Sequence, residues 1–318
     1  MNKGVLLIGE PMGLLMAQNP GALDQVTGYS LAVAGAELNV AIGLTRLGHH
    51  AAYMTKLGPD PFGKQITHYL EEQHIATDFI RYSDERSTGF MLKGLALEGD
   101  PEIYYYRKNS AASTIDTADI DSISFDRYGL FHMTGIFPAL SASTHEAAFY
   151  AMKKAREAGL TITFDPNLRP QLWPDTDTMV RTINELASLA DYILPGQAEG
   201  KILCGSTDPA AIGQFYLDRG AKGVITKVGP QGAYVYTPDQ QLLVPGFTVD
   251  KVVDTVGAGD GFAAGFISAL LEELPLYETV RRANAIGAIQ VTVRGDNTGL
   301  PTPDQLADFI KKQEKSHA

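Results

Sequence analysis

Asp254-Thr255-Val256-Gly257-Ala258-Gly259-Asp260-Gly261-Phe262-Ala263-Ala264-Gly265-Phe266-Ile267 runs from an extended segment, through a glycine-rich turn, into an apolar helix. Small residues let the backbone come close to a ligand, and the first helical N–H groups point outward at the positive end of the helix dipole. An anion is expected there. Asp260 sits in the same turn, either as a structural N-cap or as a general base beside an anion hole, the arrangement that deprotonates a hydroxyl attacking a phosphoryl group. Phe262 stands where a dinucleotide fingerprint would need its third glycine, so that reading falls.

Working outward, short apolar runs at 5–8, 128–133, 161–164, 192–194 and 224–226 are bounded by Gly, Asp or Pro and read as strands buried on both faces. Amphipathic stretches lie between them. Residues 37–47 place Leu38, Ala41, Ile42 and Thr45 on one face before Gly48, Ser143-Thr144-His145-Glu146 spells a capping box for a helix reaching Gly159, and 257–274 is filled with helix formers. Strand–helix alternation predicts an α/β fold with a doubly wound, mainly parallel sheet and sites at the carboxyl ends of its strands. One region breaks the pattern: 89–97 and 102–107 are extended and flank the turn Glu98-Gly99-Asp100-Pro101, a hairpin expected to join the segment near Leu14–Leu31 in a small second sheet. The tail 311–318 is expected to fray.

Composition narrows the function. The 318 residues carry 26 Lys+Arg against 37 Asp+Glu, a net charge of −11, which disfavours nucleic acid as a partner. The single Cys204 excludes an intramolecular disulfide framework. No apolar run approaches the ~20 residues of a membrane span, and the first ten residues lack the h-region of a signal peptide. A cytoplasmic protein with no membrane partner is expected.

Two further glycine segments invite a phosphate reading. Gly58-Pro59-Asp60-Pro61-Phe62-Gly63-Lys64-Gln65 nearly spells a Walker A loop, but its prolines remove backbone donors and Gln65 replaces the Mg²⁺-holding hydroxyl, so a structural turn is expected. Gly229-Pro230-Gln231-Gly232 lies between two extended runs and reads equally as a hairpin turn or a nucleotide contact.

Together, Asp254 through Asp260, Ala34-Gly35-Ala36-Glu37-Leu38-Asn39 and Gly58 through Gly63 resemble, in order and over nearly the whole chain, the ribokinase-like (PfkB) carbohydrate kinases. The resemblance implies a single domain over 1–318, a doubly wound α/β/α body with a β-sheet lid from segments near 11–34 and 87–110, and ATP-dependent phosphorylation of a sugar hydroxyl. It implies Asp260 as catalytic base, the amides of Gly257, Ala258 and Gly259 as anion hole, and Lys227, Gly229, Gly232 and Asn167 on the nucleotide side. Glu199 matches the acid of an Asn-x-x-Glu magnesium motif whose Asn position is Gly196 here. K⁺ beside the anion hole is a further expectation, with carbonyls near 254–256 and 291–295 as its ligands.

Within the family, Gly9-Glu10-Pro11-Met12, Tyr104-Tyr105-Tyr106-Arg107-Lys108, Phe164-Asp165-Pro166-Asn167-Leu168-Arg169 and Arg294-Gly295-Asp296 are similar to kinases of 2-keto-3-deoxygluconate, with Met91 replacing an expected lid tyrosine. That similarity implies Gly35, Asn39 and Asp296 on acceptor hydroxyls, and Phe90 and Tyr105 closing over the sugar acid. Strand alternation independently puts Tyr105 and Arg107 on one face, and with Arg169 they suit a carboxylate. Both arginines also have plainer readings, Arg107 as a solvated hairpin charge and Arg169 as a phosphate contact. A neutral-sugar kinase of the same fold (fructokinase or ribokinase) and a non-catalytic sensor are the rival readings, and a homo-oligomer through the lid is expected.

Overall fold

The computed structural model describes residues 4–96 and 101–316. In chain order the strands are β1 (Gly4–Ile8), β2 (Met12–Ala17), β3 (Tyr29–Ala34), β4 (Ala51–Leu57), β5 (Ile80–Tyr82), β6 (Phe90–Lys93), β7 (Ile103–Tyr106), β8 (Tyr128–Thr134), β9 (Thr161–Asp165), β10 (Tyr192–Ile193), β11 (Gly223–Lys227), β12 (Gly232–Tyr236) and β13 (Gln241–Pro245). Among the described residues, nine form one sheet in the order β13-β12-β11-β10-β9-β8-β1-β4-β5, and four form a second in the order β3-β2-β6-β7.

The large sheet is parallel from β5 to β11 and antiparallel only at the β11–β12–β13 edge. An interior strand, β1, explains why. All five residues of β1 are buried, and a strand with no polar face needs helices on both sides of the sheet. One core lies on each face: Leu6, Ile8, Phe131 and Phe164 pack on one side, Val5, Leu7, Phe262 and Phe266 on the other. The chain winds from β1 outward to β4 and β5, then returns to β8 on the other flank of β1. Strand order therefore reverses beside β1, where an open α/β sheet leaves a crevice beyond its carboxyl ends.

The small sheet is a different object. Its inward face carries Met12, Leu14, Ala34 and Met91 as a minor core of its own. Register pairs Phe90 with Tyr106 and Met91 with Tyr105, so alternation sends Met91 and Tyr105 inward, Phe90 and Tyr106 outward. The expected hairpin is thus present as β6 and β7, while Glu98, Gly99 and Asp100 of its turn lie outside the described residues.

Three local expectations are corrected. The helix Ala142–Glu157 is capped by Ser141, not Ser143: the Ser141 hydroxyl accepts from Thr144 N while the Thr144 hydroxyl accepts from Ser141 N, and both serine hydroxyls donate to the Ser113 carbonyl (2.7 and 3.3 Å). Residues 311–316, expected to fray, continue the helix Pro303–Ser316, because its Phe309 packs on Phe247 (5.5 Å between rings). The helix that opens at Ala258 ends at Leu271, three residues short of expectation.

The Walker-like segment is a structural turn. Asp60 caps the helix Pro61–Glu72 by accepting from Gly63 N (2.9 Å), and its other oxygen accepts from Thr88 N (2.7 Å). Asp60→Ala strands both donors, and a cap of this kind contributes about 0.5–2 kcal/mol. A melting temperature lowered by a few degrees is expected in calorimetry; an unchanged one contradicts this assignment.

Candidate active site

Beyond the carboxyl ends of β1, β8, β9 and β11 lies a cavity of ≈ 370 Å³, roofed by Met91, Ile103 and Tyr105 of the small sheet and floored by Asp260, Asp165 and Lys227. Asp260 is the third residue of the helix Ala258–Leu271. That helix starts from Gly257 in a left-handed conformation (φ 79°), and a Cβ there would stand 1.9 Å from the Asp296 carbonyl. Only glycine meets both demands. Gly257 and Gly259 line the cavity beside Asp260. Ala258, expected with them, faces the neighbouring apolar cavity, and its N–H donates to the Thr255 carbonyl (3.3 Å).

The Asp260 carboxylate is held from one side. Asn39 donates to it (2.7 Å), Asn297 donates to the Asn39 oxygen (3.0 Å), and Tyr69 donates to the Asn297 oxygen (3.1 Å). Asn39, expected on an acceptor hydroxyl, thus spends its amide on the carboxylate. Burial raises the Asp260 pKa to about 7; the Asn39 bond and Arg169 oppose that rise, and the charges of Asp165 and Asp296 add to it. A carboxyl of this kind exchanges its proton near neutrality.

The second carboxylate centre is Asp165. It accepts from Lys227 Nζ (2.6 Å) and, on its other oxygen, from Asn167 N (3.1 Å), whose backbone is left-handed (φ 38°). Glu199 caps the start of the helix Gln197–Leu203, accepting from Gly196 N (2.7 Å) and from Leu168 N (2.9 Å). Burial raises the Glu199 pKa against the pull of Lys227. For Lys227 itself, burial disfavours the ammonium, yet Asp165 and Glu199 outweigh it and the pKa rises.

The acceptor side of the cavity holds the arginines. Arg107 is buried with Glu10: its Nε donates to Glu10 Oε2 (2.6 Å), its Nη2 reaches the same oxygen, and Ser110 donates to Oε1 (2.5 Å). Arg169 donates to the Leu168 carbonyl (2.9 Å) and also lines the cavity, as do Gly35, Asn167, Glu199 and Asp296. Phe90 is corrected: it stacks on Tyr106 (4.6 Å) and Phe62 (5.2 Å) on the outward face, because it lies one residue out of phase with the inward Met91.

A second cavity of ≈ 420 Å³ adjoins the first, sharing Lys227, Thr255 and Gly259 with it. Its walls are apolar, from Phe247, Val249, Val252, Phe262 and Val291, and its rim carries Gly229 and Gly232. Gly232 (φ 106°) is required there, since a Cβ would lie 2.1 Å from the Val244 carbonyl. The apolar slot meets the start of the Ala258–Leu271 helix at Ala258 and Gly259. Among the carbonyls expected to take K⁺, Val256 O and Gly295 O accept from Gln290 (3.3 and 2.6 Å), and Val291 O accepts from Val253 N (2.8 Å).

Sequence reasoning passed over Glu10, Asp165, Asn297 and Lys93 as site residues. Glu10 and Asp165 were findable, being just past β1 and at the end of β9, where α/β sites gather. Lys93 lies two residues beyond Met91 on β6 and so shares its inward face.

Slot, helix start and carboxylate lie side by side on a doubly wound α/β body. The chain belongs to the pfkB family carbohydrate kinases, whose model matches residues 3–303. It is an ATP-dependent carbohydrate kinase. It is similar to the 2-dehydro-3-deoxygluconokinase of Bacillus subtilis (strain 168), at 47% identity over 100% of this chain and 98% of the relative. It superposes on a PfkB protein from Polaromonas sp. JS666 with a TM-score of 0.89, 42% identity and coverage of 96% and 99%. An Escherichia coli structure in complex with ATP and Mg²⁺ aligns with a TM-score of 0.90 at 27% identity, covering 98% of this chain and 99% of that one.

Raising the pKa of a carboxyl on folding stabilises the fold fully below its unfolded value and loses that benefit as pH climbs through the folded value. Asp260→Asn removes the cost of the buried charge. Its melting temperature is expected to exceed the wild type's at pH 8 and to approach it at pH 4; an equal offset at both pH values contradicts the assignment.

Proposed function

We propose that this kinase phosphorylates the terminal hydroxyl of 2-keto-3-deoxygluconate, giving the 6-phosphate. The observation that carries the reading is the meeting of the two cavities at Lys227, Thr255 and Gly259, next to Asp260 in the first, with arginines on the acceptor side. The base, unprotonated above about pH 7, takes the proton of the hydroxyl. The hydroxyl oxygen bonds to the γ-phosphorus in line as the bond to the β-bridging oxygen breaks, and ADP leaves. Amides of Gly257 and Gly259 stabilise the transferring group, and Lys227 neutralises the phosphates from the shared wall. Adenine fits the apolar slot behind Gly229 and Gly232.

The donor set suits Mg²⁺. Glu199 and Asp165 offer hard oxygen ligands to the cavity, the donor chemistry of an ion that keeps several waters. Bound there, the ion would spread the negative charge of the phosphates.

Acid preference rests on Arg169. Arg107 is neutralised by Glu10, whereas Arg169 meets a backbone carbonyl and keeps its charge for an anion. The paired state of Arg107 is what favours the second reading, a neutral-sugar kinase. The small sheet acts as a lid, and its outward Leu31, Tyr104 and Tyr106, 54%, 56% and 49% exposed, fit a contact between two copies of the chain. Acid-sugar chemistry agrees with the 47% identical relative.

Coupled ADP release against 2-keto-3-deoxygluconate, 2-keto-3-deoxygalactonate, fructose and ribose tests the reading. Asp260→Asn is expected to lose about 10²–10⁴-fold in kcat. Arg169→Ala is expected to lose about ten- to hundredfold in kcat/KM on the acids, as a charge-assisted hydrogen bond requires, and little on neutral sugars. Fructose or ribose as the better wild-type substrate overturns the acid reading.

A further inference from the structure

Lys93 is 1% exposed, a rare state for a lysine. It rises from β6 of the small sheet, and its ammonium reaches two carboxylates of the large body: Asp254 Oδ2 at 2.8 Å and Asp296 Oδ1 at 3.0 Å. Neither carboxylate is idle. Asp254 accepts from Val256 N (3.1 Å) and Gly295 N (3.2 Å), which sets the turn leading into Gly257, and Asp296 lines the acceptor cavity. The Asp296 carbonyl is the atom on which Gly257 packs. One ammonium therefore touches the small sheet, the anion-hole loop and the acceptor wall at once.

We propose that Lys93 is a positioning residue, clamping the lid strand to the anion-hole loop so that Asp296 and the amides at Gly257 stand in place when the lid is down. The inference rests on the sugar-kinase reading of the same site. Two carboxylates share a single buried cation; without it they repel, and the loop that carries Gly257 loses its brace. Burial tends to raise the pKa of Asp254, but Lys93 and the two amides hold it below the ordinary range. Arg294, two residues before Asp296, adds a second tie by donating to the Ala17 carbonyl of β2 (3.0 Å). The slot for the nucleotide base lies on the other side of the helix start, and Lys93 is absent from its walls. Loss of the clamp should therefore act on turnover and sugar rather than on ATP.

The test is Lys93→Ala in the full chain, assayed with and without ethylammonium, which fills the vacated space with a small ammonium. A drop in kcat of about tenfold or more is expected, with KM for ATP within about threefold, and saturable recovery on adding ethylammonium that the wild type does not show. Should the single variant fail to fold, Lys93→Met with Asp254→Asn removes charges of both signs together and is expected to fold and remain slow. Wild-type turnover in either variant overturns the proposal, as does a folded, slow Lys93→Ala enzyme indifferent to ethylammonium. Wild-type inactivity on every sugar would instead sink the kinase reading, so the two failures are distinct.

Discussion

Everything in the site depends on how one helix begins. Gly257 takes a left-handed backbone against the Asp296 carbonyl, and from that contact the Ala258–Leu271 helix aims its first amides and Asp260 at the point where strand order reverses. The body of the protein exists to hold that start rigid. Phe262 and Phe266, one and two turns on, sink into the core beneath the sheet, and Gly265 lets the helix lie directly on the backbone of Ala283. Asn297, Asn39 and Tyr69 then fix the carboxylate from the far side.

Charge in the cavity is arranged by pairing. Glu10 answers Arg107, Asp165 answers Lys227, and Asp254 with Asp296 answers Lys93. Each pair spans two elements, so each also locks geometry: Glu10 joins the end of β1 to the segment just after β7, and Lys227 joins β11 to β9. Buried pairs of this kind add little net stability over apolar residues but penalise any arrangement that separates them. Asp260 is different: burial, with the acidic neighbours Asp165 and Asp296 adding to it, outweighs Asn39 and Arg169 and holds its proton near neutrality.

The elements were largely legible in the sequence because they follow from local rules. Apolar runs of three to six residues bounded by Gly, Asp and Pro mark the parallel strands, and the turn from Asp254 to Asp260 declares itself by composition. What stayed hidden is set by distance along the chain. Lys93 lies 161 and 203 residues from the two acids it joins, and Asn39 lies 221 from Asp260, separations at which no periodicity speaks. Phe90 shows the intermediate case: alternation was readable, but its phase was settled only by the register that sets Met91 opposite Tyr105.

The central claim is that a carboxyl titrating near neutrality removes the proton from the acceptor alcohol, and the pH dependence of kcat/KM reads it most directly. The account predicts an acid limb with an apparent pKa of about 7, set by Asp260 in the free enzyme. A profile flat from about pH 5 to 8, spanning the ordinary and the raised carboxyl values, would contradict it.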